Sequence, residues 1–281
     1  MVNKSDTQKN QNNQNQDIPN QKNQSQKNQK SPNQSQKNVS RNAVARIRFP
    51  DPRATGSDGL LHVGGALTVD NLVEAYRSGI FPWPQEGLPI LWFSPVKRGV
   101  LDFSEVHWPR SFLREVRAND AKRRCLDPSH LNVTFDQDFR SVIEACATVP
   151  RKIQDSNVAA GTWILSEMQE AYLQMYLAGF AHSVECWRGG ELVGGLYGVY
   201  VDGVFSGESM FHRLSGASKI CLYYLIEQLR SMGMSWIDIQ MVTPVLETFG
   251  GKYISRDEFL ARVDVEHKRG PSYPVWRRVT S

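Results

Sequence analysis

Carboxylates stand at two places in the chain where their neighbours suggest chemistry. In Gly207-Glu208-Ser209-Met210-Phe211, Glu208 and Met210 are two residues apart, so on a strand they share a face and set a carboxylate beside a thioether. That wall suits a cation next to an apolar group; the same Glu taken alone reads as one half of a surface ion pair. In Trp236-Ile237-Asp238-Ile239-Gln240-Met241, Asp238 and Gln240 alternate with isoleucines and share the polar face of an otherwise apolar strand. Buried polar groups need partners, so this pair is either a structural hydrogen-bond network or part of a reaction centre. Tyr76, Trp83, Trp163 and Tyr172 are either core or a stacking platform for an unpaired base. The Pro82-Trp83-Pro84 frame favours a loop, and so the platform, at Trp83. Arg110, Arg114 and Arg117, spaced i, i+4, i+7 and followed by Lys122, Arg123 and Arg124, form a solvated helix face or a phosphate-binding stripe.

The elements that must position these groups follow from periodicity and punctuation. Thr68 is a good N-cap, Leu72, Val73 and Tyr76 fall on one face of the helix it starts, and Gly79 ends it. Residues 90–95 and 99–103 read as two short strands with Lys97 and Arg98 in the turn between them. A basic helix is expected over 109–124 with Phe112, Leu113 and Val116 inward, then a strand over 132–135 and a helix marked by Phe139, Val142, Ile143 and Cys146. Ser166 is expected to cap a helix that Gly179 stops. From Ala181 the period becomes two: residues 182–187, 192–200 and 204–206, joined at Gly189-Gly190 and Asp202-Gly203, make an antiparallel meander. A helix over 215–232, the strand at 236–241, the run 249–254 and a helix begun by Ser255 or Asp257 complete the pattern. Meander, helix and further strand make an α+β plan in the order of GNAT-type acyltransferases, whose last two strands splay around that helix.

Of the 281 residues, 40% are hydrophobic and 22% charged, enough for a real core. The charge is unevenly spread. The first 40 residues hold 20 Asn or Gln, no aromatic residue, and six Lys against two Asp, whereas residues 41–281 balance 27 basic against 27 acidic side chains. Any basic patch on the folded part must therefore be local. Residues 1–44 have almost nothing apolar to bury and are expected to form a disordered tail. No stretch nears the ~20 apolar residues of a membrane span, and no signal-peptide core stands at the N-terminus, so a cytoplasmic protein with no membrane partner is expected. Cys125, Cys146, Cys186 and Cys221 make no C-x-x-C, which argues against structural zinc and for reduced thiols.

One ordered set of strings is specific. Ala75-Tyr76-Arg77-Ser78-Gly79-Ile80-Phe81-Pro82-Trp83, Trp92-Phe93-Ser94-Pro95, Gly161-Thr162-Trp163-Ile164, Ala181-His182-Ser183, Gly207-Glu208-Ser209-Met210-Phe211 and Ala217-Ser218-Lys219 follow one another at compatible spacings. The sequence resembles the bacterial leucyl/phenylalanyl-tRNA–protein transferases over residues 58–265. The resemblance implies transfer of Leu, Phe or Met from aminoacyl-tRNA to the N-terminal Arg or Lys of a protein, marking it for degradation, with neither metal nor organic cofactor. It implies a small N-terminal α+β domain, here residues 45–98, beside a GNAT-like catalytic domain over 99–270, leaving 271–281 as a C-terminal tail. The expected partners are the 3′ acceptor end of aminoacyl-tRNA and proteins with N-terminal Arg or Lys, and the expected assembly is a monomer.

Carried onto this chain, the resemblance makes Asp238, Gln240 and Glu208 the reaction centre. Tyr76, Trp83, Trp163 and Tyr172 become the wall around the terminal adenosine and aminoacyl group, and Met210 and Leu225 the acyl pocket. Arg110, Arg114, Arg117, Arg123 and Arg124 become contacts to tRNA phosphates. An amine attacking an activated ester needs no protein nucleophile; the site must orient two substrates, keep the amine unprotonated and stabilise an oxyanion. A neutral amide is a poor base, so Gln240 is expected to orient, while Asp238 or Glu208 holds the acceptor's cation.

Downstream of Gln240 the chain departs from the family. Val245 and Glu247-Thr248-Phe249-Gly250-Gly251 stand where a His and a Ser-Leu-Gly-Ala run are usual, and Ser255 replaces a proline before Arg256. That divergence motivates one alternative, a non-catalytic tRNA-end-binding protein. The loop Arg213-Leu214-Ser215-Gly216-Ala217-Ser218, which approximates a pyrophosphate-binding turn at a helix N-terminus, motivates another, a CoA-dependent GNAT-type N-acetyltransferase.

Overall fold

Four α-helices of the described residues start where a Thr, Asp or Ser side chain accepts from a free N–H group, and several stop at glycine. A computed structural model describes residues 46–150 and 164–269. After β1 (Leu60–Val63), the Thr68 hydroxyl accepts from the Asn71 N–H to open α1 (Val69–Arg77), and Gly79 at φ 71° closes it. β2 (Phe81–Trp83) and β3 (Leu91–Phe93) complete a three-stranded antiparallel sheet of order β1-β3-β2. β4 (Lys97–Asp102), α2 (Arg110–Arg124), β5 (Asn132–Phe135), α3 (Phe139–Thr148) and α4 (Ser166–Leu177) follow. Next come β6 (Ala181–Arg188), β7 (Glu191–Val201) and β8 (Val204–His212), joined at Gly189-Gly190 and Asp202-Gly203. Both turn pairs have positive φ throughout, which two-residue hairpin loops favour. Then come α5 (Ala217–Ser231), β9 (Trp236–Gln240), the short α6 (Pro244–Glu247), β10 (Lys252–Ser255) and α7 (Arg256–Lys268), the last capped by Ser255.

Seven strands form the second sheet in the order β10-β4-β9-β8-β7-β6-β5. Its neighbours are antiparallel except β8 and β9, which run parallel and share one paired position, Ser206 with Asp238. The chain is thus a mixed α+β fold with one antiparallel and one mixed sheet. Strand β7 separates two cores: Tyr197, Val199 and Val201 join α1, α3 and α4 on one face, while Leu196 and, through a bulge against β6 that shifts the alternation, Val193 join α5 on the other. Helix α2 packs through Phe112 and Val116 against Ile220 of α5.

Several expectations change. Lys97 and Arg98 do not sit in a turn; they open β4, and Arg98 is buried because β9 beside it supplies a carboxylate. Ser166 is the first helical residue rather than the cap, a position held by Leu165 without a side-chain bond. β8 runs on to His212, well past Ser206. Trp83 lies in β2 rather than in a loop; its prolines are tolerated because β2 is an edge strand. The expected tails at 1–44 and 271–281, and Trp163, lie outside the described residues. Among the described residues, no helix is long and apolar enough to cross a membrane.

Candidate active site

A β-bulge presents Glu208. Gly198 pairs with Gly207 and Tyr197 with Ser209, leaving Glu208 as the extra residue on β8. The bulge breaks the two-residue alternation: Met210, opposite Leu196, packs with the α5-side core, whereas Glu208 reaches tyrosines that belong to the other core. The shared face expected for Glu208 and Met210 is therefore absent. Tyr76 of α1 donates to Glu208 Oε1 at 2.7 Å, Tyr172 of α4 donates to Oε2 at 3.2 Å, and Gln240 Nε2 donates to Oε1 at 2.6 Å. The two tyrosine hydroxyls also hydrogen-bond to each other. All three of these donors are neutral. Burial pushes the Glu208 carboxyl up to about 7; the Tyr76 hydrogen bond opposes the rise, the Asp238 charge adds to it, and Tyr172 and Arg98 oppose it. The residue still keeps a rim of exposed surface. Burial, reinforced by the Glu208 charge, raises both tyrosines well above their ordinary value, so they stay neutral.

Asp238, next to it on β9, is in the opposite condition. It is fully buried, and Arg98 grips both oxygens, Nε to Oδ1 at 2.8 Å and Nη2 to Oδ2 at 2.6 Å. The guanidinium lies between the rings of Phe81 and Phe259, 4.5 and 4.6 Å from their centroids. Ser206 Oγ donates to Oδ2 at 2.8 Å and the Gln240 backbone N–H donates to Oδ1 at 2.9 Å. The cation expected at Asp238 is thus supplied from within the chain. Gln240 itself has φ 56°, a left-handed conformation rare for a residue with a side chain, and its N–H bond to Asp238 holds it there.

The remaining expected residues are dispersed. Leu225 is 2% exposed in the α5-side core, and Met210 packs against the same cluster. Trp83 is partly buried against the core that contains Tyr76 and Tyr172. Those two tyrosines come to the site by their hydroxyls, with their rings buried rather than offered for stacking. Arg110, Arg114, Arg117, Arg123 and Arg124 are all exposed on α2, with Arg123 3.7 Å from Asp120. Arg98 and Ser206 were not singled out by sequence reasoning. Arg98 had one usable signal, since a carboxylate on a buried strand demands a cation and Arg98 directly precedes the apolar run at Val100. Among the described residues, no group of three or more His, Cys, Asp or Glu could hold a metal ion.

Known proteins match this region closely. A family model described as leucyl/phenylalanyl-tRNA protein transferase matches residues 100–264, and one described as the N-terminal domain of that transferase matches residues 65–96. The chain is 45% identical over 229 residues to a leucyl/phenylalanyl-tRNA–protein transferase of Nitratidesulfovibrio vulgaris, covering 82% of this chain and 92% of the relative. It is 47% identical over 219 residues to the protein of the same name from Pseudomonas fluorescens, covering 78% and 89%. Among solved structures, that of L-PGS from Bacillus licheniformis aligns over 71% of this chain and 67% of that one at 13% identity, with a TM-score of 0.35, and has no weight for fold or function.

Proposed function

The chain belongs to the leucyl/phenylalanyl-tRNA protein transferase family, and from that premise we propose how its own residues carry the reaction. It is an aminoacyltransferase that moves leucine or phenylalanine from tRNA onto a protein. The CoA-dependent alternative gives way to that family, and the transfer assay below decides the non-catalytic one. Glu208 accepts the proton that the attacking α-amine gives up. The acceptor attacks as the free amine, well populated near neutral pH because an α-ammonium titrates near 7.7–8.0; attack makes its nitrogen acidic, and a carboxyl at about 7 can take that proton and pass it to the ribose oxygen. The nitrogen attacks the ester carbonyl carbon, its proton passes to Glu208, and the bond to the ribose oxygen breaks as that oxygen is protonated.

The observation that carries this reading is a desolvated Glu208 with neutral donors and an exposed rim. Such a carboxylate has room for a cation, whereas Asp238 is already neutralised by Arg98. Acceptors beginning with Arg or Lys are part of the same proposal. In it Gln240 orients Glu208, and Asp238 fixes Gln240. The exposed arginines of α2 hold phosphates near the 3′ acceptor end and carry no base identity. Trp83 remains the candidate for the terminal adenosine, and the Met210–Leu225 side the candidate for the acyl group. The single parallel pairing between β8 and β9, beside α5, supports a GNAT-like domain over 99–270 with a smaller one over 45–98. A cytoplasmic monomer whose products are marked for degradation completes the proposal. Single-turnover transfer of labelled Leu from charged tRNA to an Arg-starting peptide tests it: Glu208→Gln should lower the rate by at least ~100-fold. A variant as fast as the parent would remove Glu208 from the reaction.

A further inference from the structure

Tyr76, Tyr172 and Glu208 bring four oxygens, two hydroxyl and two carboxyl, from α1, α4 and β8 into a closed set of three hydrogen-bond contacts. Their positions are not adjustable at leisure. The two phenol rings meet edge to face at 6.5 Å and 74°, and Tyr172 meets Tyr197 in the same way at 5.6 Å, all within one buried core. The proton count of this triangle is informative. Two hydroxyl hydrogens serve three contacts. With Glu208 ionised, both hydrogens go to the carboxylate as charge-assisted bonds, and the contact between the hydroxyls holds none. With Glu208 protonated, a third hydrogen closes a ring in which Glu208 donates to Tyr172, Tyr172 to Tyr76, and Tyr76 to Glu208. The two hydroxyls therefore serve Glu208 in both states, donating to it as a carboxylate and, after one proton arrives, closing a hydrogen-bonded ring with it as a carboxylic acid.

We propose that Tyr76 and Tyr172 are positioning residues for the transfer: their hydroxyls hold Glu208 as the carboxylate that receives the amine's proton, and share that proton once it is there. This rests on Glu208 as the proton acceptor. The N–H bond of the attacking nitrogen breaks, its electron pair stays with nitrogen in the new amide, and an O–H bond forms on Glu208. The proton then passes to the departing ribose oxygen, which restores the carboxylate; nothing is oxidised or reduced. The other groups facing Glu208 are the Gln240 amide and the Asp238 charge from β9 and the Arg98 charge from β4, and replacing a tyrosine by phenylalanine leaves all of them in place. The role differs from a wall around the terminal adenosine, in which the rings rather than the hydroxyls would matter.

The experiment compares Tyr76→Phe and Tyr172→Phe singly with the parent, using charged tRNA varied up to saturation and an Arg-starting peptide between about pH 5.5 and 9. Two quantities are read: the single-turnover rate, and the 13C titration of the Glu208 carboxyl in the resting protein, assigned by its loss in Glu208→Gln. Each phenylalanine removes a donor to the charged form, so both profiles should move alkaline by about one pH unit. The rate should fall roughly tenfold on the acid limb and largely recover on the alkaline side, with KM for charged tRNA within about twofold. Melting temperature shows that each variant folds, and either one suffices. Unmoved titration and rate profiles overturn the proposal, and so does a raised KM for charged tRNA with an unmoved pH profile, the signature of an adenosine wall. Full activity in Glu208→Gln would remove the proton-acceptor reading itself, and this proposal with it. An inert Glu208→Gln with unmoved phenylalanine variants would remove the tyrosines alone.

Discussion

Glu185 on β6 accepts hydrogen bonds from Ser183 Oγ at 2.5 Å, Thr134 Oγ1 at 2.6 Å and the Asp138 N–H at 3.3 Å. Glu208, two strands away in the same sheet, also accepts from neutral side chains, and burial raises both carboxyls above their ordinary value. The two differ in access. Glu185 is 0% exposed, so its donors tie β5 and the turn at 136–138 to β6 and no substrate can reach its proton. Glu208 stands out on a bulge with a rim open to solvent and Gln240 across the gap between β8 and β9. A raised carboxyl therefore marks desolvation, and access decides whether the proton can be used.

The sharpest way to break this contrast is to neutralise each carboxylate in turn. Glu208→Gln should lower single-turnover transfer by two to four powers of ten, the usual worth of a general base, whereas Glu185→Gln should keep the rate within a few-fold and lose stability instead. Equal losses of rate would erase the distinction. Next in size is Arg98→Met, which strands Asp238 as a lone buried charge and should cost about 3–5 kcal/mol in urea unfolding. Adding Asp238→Leu should recover much of that, because the stranded charge is gone.

A third measurement uses pH. Glu208 rises from 4.5 to about 7 on folding, so its contribution to stability is fully present below about 4.5 and is lost as pH rises through 7. At about 1.4 kcal/mol per pH unit the decline amounts to about 3 kcal/mol. Glu208→Gln should flatten that fall, leaving a remainder of the same sign from Glu185, read as unfolding free energy against pH. The smallest effect belongs to exposed charge. Replacing Arg114 and Arg117 by Ala should raise KM for charged tRNA several-fold and weaken its salt dependence, while transfer from a short aminoacyl-adenosine stays nearly intact. Equal loss on both substrates would mean that the α2 face is structural.

These contrasts were unevenly legible in the sequence. The meander is readable because Gly189-Gly190 and Asp202-Gly203 are the residue pairs that tight hairpins require. Asp238 and Gln240 are readable because polar residues at every second place of an apolar strand need an explanation. Arg98 is legible only through the demand of a buried carboxylate for a cation, since a charged residue after Ser94-Pro95 reads as turn and its partner lies 140 residues later. The opposed faces of Glu208 and Met210 are hidden as well, because one extra residue at the bulge reverses the alternation and leaves no mark in composition. Tyr76 and Tyr172 illustrate a different limit: the same letter supplies a ring for stacking and a hydroxyl for donation, and only three-dimensional packing chooses between them.

The position of β4 in the larger sheet has a consequence in time. Its neighbours are β9 and β10, so a strand made early must wait for two made late. At about 5–20 residues per second, the 140 residues between Arg98 and Asp238 take about 7 to 28 s to synthesise. Throughout that interval the guanidinium and the apolar run behind it have no strand to join, and closing so long a loop makes the pairing a slow, late step of folding. The Gln240 amide and the Asp238 anchor arrive on the same late segment, so the nascent chain has no working centre until β9 is docked. An enzyme that adds amino acids to other proteins thus has no complete site of its own until β9, 140 residues behind Arg98, has been made.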